Sequence, residues 1–169
     1  MGVENYTSNT VNLYNSTVSG TRSAIYNTGT VNIAGTVKAA SDAVDSGRYC
    51  VNNLGTLTVD GTLTADGGNI GVANRKESNG SRSGTITVDN GTLICTGDSD
   101  GLSNRGTATV AGTLTATGKR NDGVYNYGGT LTVNGTLTAT GNASGKQTDG
   151  LDNSNNGTVT INGTLTASG

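Results

Sequence analysis

The chain has 169 residues, no Phe, Trp, Pro or His, 28 Gly, and only 31% apolar residues. A globule of this length usually fills a wide core with aromatic side chains, so this composition excludes one and leaves a narrow core of small aliphatics. Ten Lys and Arg against twelve Asp and Glu give a net charge of -2, with the cations scattered, which argues against nucleic-acid partners held by phosphate neutralisation. No apolar run approaches the roughly 20 residues of a membrane span.

In chain order, Gly2-Val3-Glu4-Asn5 is the first copy of a short motif that reads small, aliphatic, any, Asn. A loose threonine-rich unit begins at Asn9. The motif returns as Ala24-Ile25-Tyr26-Asn27, and a second loose unit starts at Gly29. Cys50-Val51-Asn52-Asn53 then precedes the first regular unit, GTLTVDGTLTADG from Gly55. From there motif and unit alternate: Gly71-Val72-Ala73-Asn74 before GTITVDNGTLICTG from Gly84, and Gly101-Leu102-Ser103-Asn104 before GTATVAGTLTATG from Gly106. Gly123-Val124-Tyr125-Asn126 precedes GTLTVNGTLTATG from Gly129, and Gly150-Leu151-Asp152-Asn153 precedes GTVTINGTLTASG from Gly157. Unit starts are separated by 20, 26, 29, 22, 23 and 28 residues, a period that marks a solenoid.

Within GTLTV the strict alternation predicts a strand with one buried face. Leu57 and Val59 point inward, as do Val31 and Ile33, Ile86 and Val88, Ala108 and Val110, Leu131 and Val133, and Val159 and Ile161. A two-residue corner follows, such as Asp60-Gly61 or Asn134-Gly135, with Gly expected to supply a positive φ. The next strand turns Leu63 and Ala65, Leu114 and Ala116, and Leu137 and Ala139 inward. The Asn-containing motif supplies a third strand, and Asn5, Asn27, Asn53, Asn74, Asn104, Asn126 and Asn153 are expected to stack inside, about 4.8 Å apart, as an amide ladder. The prediction is an all-β parallel β-helix forming one domain over 1–169, with about seven rungs of three short strands. Right-handedness follows the general preference of parallel crossovers. Longer inserts fall at about 40–49 and 140–149, and 75–83 (RKESNGSRS) lengthens the corner after a ladder Asn.

The doubled GTLTV units and the asparagine column resemble those of pectate-lyase-like right-handed β-helices, over the whole chain. The low-complexity units are also similar to repeat regions of bacterial adhesins and autotransporter-type proteins. That resemblance implies a non-enzymatic stalk or adhesion scaffold, secreted or at the cell surface, with polysaccharide or a host surface as partner. Met1 opens in the middle of a repeat and Gly169 stops after a second strand, which suggests a segment of a longer solenoid whose leader is absent, or end-to-end self-association.

Three surface features compete for a function. Outward threonines, Thr56 and Thr58, Thr85 and Thr87, Thr107 and Thr109, Thr130 and Thr132, and Thr158 and Thr160, form columns similar to the TxT surface of ice-binding β-helices. Thr is equally the favoured exposed strand former. Asp100, Asp122 and Asp149 each precede the Gly of the third strand, where carboxylates one rung apart offer oxygen ligands to Ca²⁺, or simply make Asp-Gly turns with Lys119, Arg120 and Lys146 nearby. Carbohydrate cleavage, the third reading, needs at least paired carboxylates, whereas the acids here sit mostly at turns. No cofactor is implied. Cys50 and Cys95 read as two free structural thiols. The Asn-Xaa-Thr matches are by-products of Asn-Gly corners.

Overall fold

A computed structural model of the chain describes residues 1–42, 45–142 and 148–169. It is a parallel β-solenoid whose seven stacked rungs make about six full turns, with no helix among the described residues. The first turn supplies β1 (Val3–Asn5) and β2 (Thr10–Ser19), and the second β3 (Ile25–Asn27) and β4 (Thr30–Ser41). Thereafter each turn has three strands: β5 (Tyr49–Asn53), β6 (Thr56–Val59) and β7 (Thr62–Gly67), then β8 (Ile70–Asn74), β9 (Thr85–Val88) and β10 (Thr92–Gly97). They are followed by β11 (Asp100–Asn104), β12 (Thr107–Val110) and β13 (Thr113–Gly118), and by β14 (Val124–Tyr127), β15 (Thr130–Val133) and β16 (Thr136–Thr140). The last turn holds β17 (Leu151–Ser154), β18 (Thr158–Ile161) and β19 (Thr164–Ser168).

The asparagine-bearing strands form a seven-stranded sheet in the order β1-β3-β5-β8-β11-β14-β17. The threonine strands form a twelve-stranded sheet in which β2 pairs one edge of β4; on the other edge β6 pairs its first half and leads to β9-β12-β15-β18, and β7 pairs its second half and leads to β10-β13-β16-β19. Three short strands per rung is therefore right only from the third turn onward. In the first two turns the first and second strands are one continuous bent strand; Asn15 (φ 45) and Gly35 (φ 69) take up the bend, and the β2–β4 register shifts there, between Tyr14 and Ser16, before pairing resumes. The later corners, with Asp-Gly, Ala-Gly or Asn-Gly, interrupt it.

Those later corners correct one expectation. Gly61, Gly112, Gly135 and Gly163 do not have positive φ; Gly35 in the same column does. Glycine is needed there because successive turns approach through their backbones. A Cβ on Gly112 would lie 2.2 Å from the Gly91 carbonyl oxygen, and one on Gly135 would lie 2.0 Å from that of Gly112. The same carbonyls accept the next turn's amides: Thr113 N–H donates to Gly91 O at 3.0 Å and Thr136 N–H to Gly112 O at 2.9 Å.

The inward register is as the alternation implies. Leu57, Val59, Leu63, Ala65, Ile86, Val88, Leu93, Cys95, Leu114, Ala116, Leu131, Val133, Leu137 and Ala139 are all buried in a single core. On the seven-stranded sheet the asparagines pair in register along the whole stack. Each Nδ2 donates to the Oδ1 of the next turn: Asn5 to Asn27 at 2.9 Å, Asn27 to Asn53 at 2.8 Å, Asn53 to Asn74 at 2.9 Å, Asn74 to Asn104 at 2.8 Å, Asn104 to Asn126 at 2.8 Å and Asn126 to Asn153 at 2.7 Å. The same Nδ2 atoms also bond the carbonyl that opens the next turn's first strand, as Asn74 does to Thr107 O at 3.0 Å and Asn104 to Thr130 O at 3.1 Å. The ladder thus fastens the corner as well as the stack. In the last turn Asn153 is exposed, Val159 and Ile161 are only half-buried, and Leu165 is 41% exposed.

The first insert is shorter than expected, since β4 reaches Ser41 and β5 starts at Tyr49, and the second falls as expected between β16, which ends at Thr140, and β17, which starts at Leu151. Residues 43–44 and 143–147, including Lys146, lie outside the described residues. The 75–83 excursion is a miniature hairpin: Lys76 bridges Ser83 antiparallel, Gly80 (φ 71) makes its turn, and Arg82 pairs with Glu77 at 3.5 Å.

Two substitutions separate these forces. Asn104→Ala takes the Asn74 donor's partner and leaves the buried Asn126 Oδ1 unpaired, so unfolding in urea is expected to show a loss of about 1–3 kcal/mol. Gly112→Ala drives a Cβ into backbone that has no room to relax, and a loss of about 1–3 kcal/mol or more is expected by the same measurement.

Candidate functional site

The threonine columns form as read. Thr56 pairs with Thr85, Thr85 with Thr107, Thr107 with Thr130 and Thr130 with Thr158, while Thr58, Thr87, Thr109, Thr132 and Thr160 make the neighbouring column. All ten are at least partly exposed. The second strands add a like pair of columns, broken by Lys38 and Ile94. No hydroxyl among these ten donates a side-chain hydrogen bond within the described residues, so the columns present hydroxyl and methyl groups to solvent at the rung spacing of about 4.8 Å.

The acidic column is tied into the backbone. Asp122 N–H donates to Asp100 Oδ1 at 3.4 Å and Asp149 N–H to Asp122 Oδ1 at 2.9 Å, so each carboxylate accepts the amide of its counterpart one turn on. Ser99 Oγ also donates to Asp100 Oδ1 at 3.3 Å, and Asn121 Nδ2 to Ser99 Oγ at 2.7 Å. The neighbouring Asp98 is ion-paired with Arg120. Among the described residues, no group of three or more Asp, Glu, Cys or His side chains is arranged to hold a metal ion. Burial raises the Asp100 pKa above the usual carboxylate range, and the Asp122 charge adds to it. Asp122 is raised as well, first by burial and then by Asp152 and Asp149, against the lowering effect of the Asp149 amide.

Both thiols are free and buried. Burial pushes the Cys50 pKa up to about 12 and that of Cys95 higher still, so neither is a thiolate nucleophile at neutral pH.

A third surface was not foreseen: the outer face of the asparagine sheet. Its central residues run Glu4, Tyr26, Asn52, Ala73, Ser103, Tyr125, Asp152, in register from turn to turn. Asn52, Ala73 and Ser103 point outward by alternation yet are only 7%, 2% and 6% exposed. Around them stand most of the chain's aromatic rings. Tyr6 and Tyr26 meet at 6.3 Å between centroids, and Tyr125 and Tyr127 at 5.5 Å. The Arg75 guanidinium lies over the Tyr49 ring at 5.5 Å and that of Arg105 over Tyr127 at 4.9 Å. The two tyrosine pairs sit at opposite ends of the strip, since Tyr26 and Tyr125 are four rungs, or about 19 Å, apart. Tyr6, Arg22, Ser23, Tyr26, Asn52 and Arg75 line a cleft of about 300 Å³ at the amino-terminal end. The signal was present in the sequence: Tyr26 and Tyr125 occupy the variable position of the asparagine motif, and Tyr6, Arg75, Arg105 and Tyr127 directly follow a ladder Asn.

No family model matches the chain, and no curated protein and no solved structure matches it either. The fold defines a class, the parallel β-solenoids, and its ladder and threonine-rich strands are those of a repeat protein.

The Asp100 reading has a pH signature. Its folded-state pKa is raised, so the folded chain holds this proton to higher pH than the unfolded chain does. Stability from this group is therefore greatest below the ordinary carboxylate range and falls as pH rises through the raised pKa. Asp100→Asn keeps an oxygen acceptor for the Asp122 amide and removes the charge. The variant is expected to melt above the parent near pH 7, and the difference to close near pH 3, by circular dichroism.

Proposed function

We propose that this chain is a rigid, non-enzymatic β-solenoid scaffold of a bacterial secreted or cell-surface protein, akin to the pectate-lyase-like repeats of adhesins and autotransporter-type proteins, and that it contacts polysaccharide or host surface. The observation that carries this reading is the division between inside and outside. The core, the ladder and the corners repeat from turn to turn, whereas the tyrosines and arginines on the asparagine sheet do not. A rod held by uniform contacts supports a local, non-uniform binding face. The buried thiols, and the Asp100 and Asp122 carboxylates taken up by backbone amides, are poorly placed as a nucleophile or acid–base pair, which favours binding over cleavage.

Ice binding through the TxT columns is the second reading, favoured by the exact turn-to-turn pairing of Thr107, Thr109, Thr130 and Thr132 with their counterparts. The two separate in one set of measurements. The scaffold reading expects no thermal hysteresis from the wild type and glycan-array binding that survives Thr109→Tyr and Thr132→Tyr, since both residues lie outside the core. Hysteresis in the wild type that these substitutions abolish, with no glycan bound, would exchange the two readings.

A further inference from the structure

The cleft at the amino-terminal end of the asparagine sheet holds two cations without carboxylate partners. Arg22 and Arg75 both line it, and neither forms an ion pair among the described residues, although Arg48, Arg82 and Arg120 all do. No Asp or Glu falls among the residues outside the description. Arg75 lies over the Tyr49 ring, with its Cζ 5.5 Å from the centroid, a contact that uses none of its N–H groups as hydrogen-bond donors to the ring's neighbours. Glu4 lies opposite Tyr26 in register, and its Oε2 already accepts the Tyr6 hydroxyl at 2.6 Å, while Asp45 is ion-paired with Arg48. The bond to Glu4 is also the main reason the Tyr6 pKa is raised.

A second, independent observation points to a ligand. Asn52 lines the same cleft, is 7% exposed, and its Oδ1 has no hydrogen-bond partner. A buried acceptor of this kind is costly unless a donor reaches it. The cleft therefore combines a tilted tyrosine pair, two unpaired guanidinium groups and one unsatisfied amide oxygen. Aromatic rings take the apolar face of a sugar ring, an amide oxygen takes a hydroxyl, and guanidinium groups take an anion. The arginines come from different turns, Arg22 ahead of β3 and Arg75 after β8, so they reach the cleft from different places. A carboxylate presents its two oxygens in one plane, whereas a sulfate ester presents three terminal oxygens in a tetrahedral arrangement, which better meets two guanidinium groups arriving from different directions.

We propose that this cleft binds a sulfated saccharide, with Arg22 and Arg75 on the sulfate ester, Tyr6 and Tyr26 against the ring, and the Asn52 amide taking a hydroxyl. The proposal rests on the scaffold reading and supplies its ligand class. A net charge of -2 for the chain disfavours diffuse attraction of polyanions, so binding would be local to the cleft.

The test is calorimetric titration of the full chain with dextran sulfate oligosaccharide, unsulfated dextran and oligogalacturonate, at about physiological salt, where diffuse surface attraction is screened. Sulfated dextran is expected to bind, the other two to bind at least about tenfold more weakly, and Arg22→Gln or Arg75→Gln each to weaken it about tenfold. Arg105→Gln, on the same sheet but outside the cleft, is expected to change affinity less than twofold. Far-ultraviolet circular dichroism and the melting temperature of each variant guard against loss of fold. Equal weakening by Arg105→Gln, equal affinity for oligogalacturonate, or no binding of the sulfated probe would each overturn the proposal. Array binding of other glycans in that last case would leave the scaffold reading standing; an empty array would remove both.

Discussion

The structure depends on one constraint: in a parallel, in-register stack every side chain lies directly on its own counterpart, one rung away. Apolar groups satisfy this by contact. A buried polar group satisfies it only if it can donate and accept at once toward a copy of itself. The carboxamide of Asn does so, and the six amide bonds from Asn5 to Asn153 all run in the same sense. The second Nδ2 hydrogen then reaches the carbonyl opening the next strand, at Thr30, Thr56, Thr85, Thr107, Thr130 or Thr158, so the ladder also holds the corner closed.

The same rule governs the positions that are harder to stack. Successive glycine corners touch backbone to backbone, and their carbonyls accept the next turn's amides, which leaves no room for a Cβ. Like charges one rung apart repel, and the Asp100–Asp122–Asp149 column answers this where Asp100 and Asp122 each accept the backbone amide of the next Asp, and where burial raises the pKa of both and so favours the protonated form. An aromatic ring repeated on every rung would not fit between walls this close. The tyrosines stand outside instead, on strand faces and after ladder asparagines, where the fold makes no demand on them.

That freedom separates scaffold from function. The threonine columns repeat because strand propensity and stacking favour the same residue on every rung. Tyr6, Arg22, Tyr26, Asn52 and Arg75 follow no repeat, and the stack would form with small polar residues in their places. Residues that depart from the repeat while keeping aromatic and cationic character are the ones whose identity the fold does not explain.

The period, the inward alternation of Leu57, Val59, Leu63 and Ala65, and the asparagine column were all legible in the chain, because stacking like on like writes each structural requirement into the sequence several times over. The β-solenoid follows from that repetition. Single-copy features were not legible. The fusion of first and second strands in β2 and β4 turned on the backbone at Asn15 and Gly35. The reason for the corner glycines, close approach rather than positive φ, required knowing how near the neighbouring turn lies. The cleft joins residues as far apart in sequence as Tyr6 and Arg75, and its unpaired arginines and orphaned Asn52 oxygen depend on what surrounds them in space. Sequence by itself determined what repeats, since repetition is visible in one dimension; only the tertiary structure decided what is unique, because a site made once, from different turns, exists only after the turns are stacked.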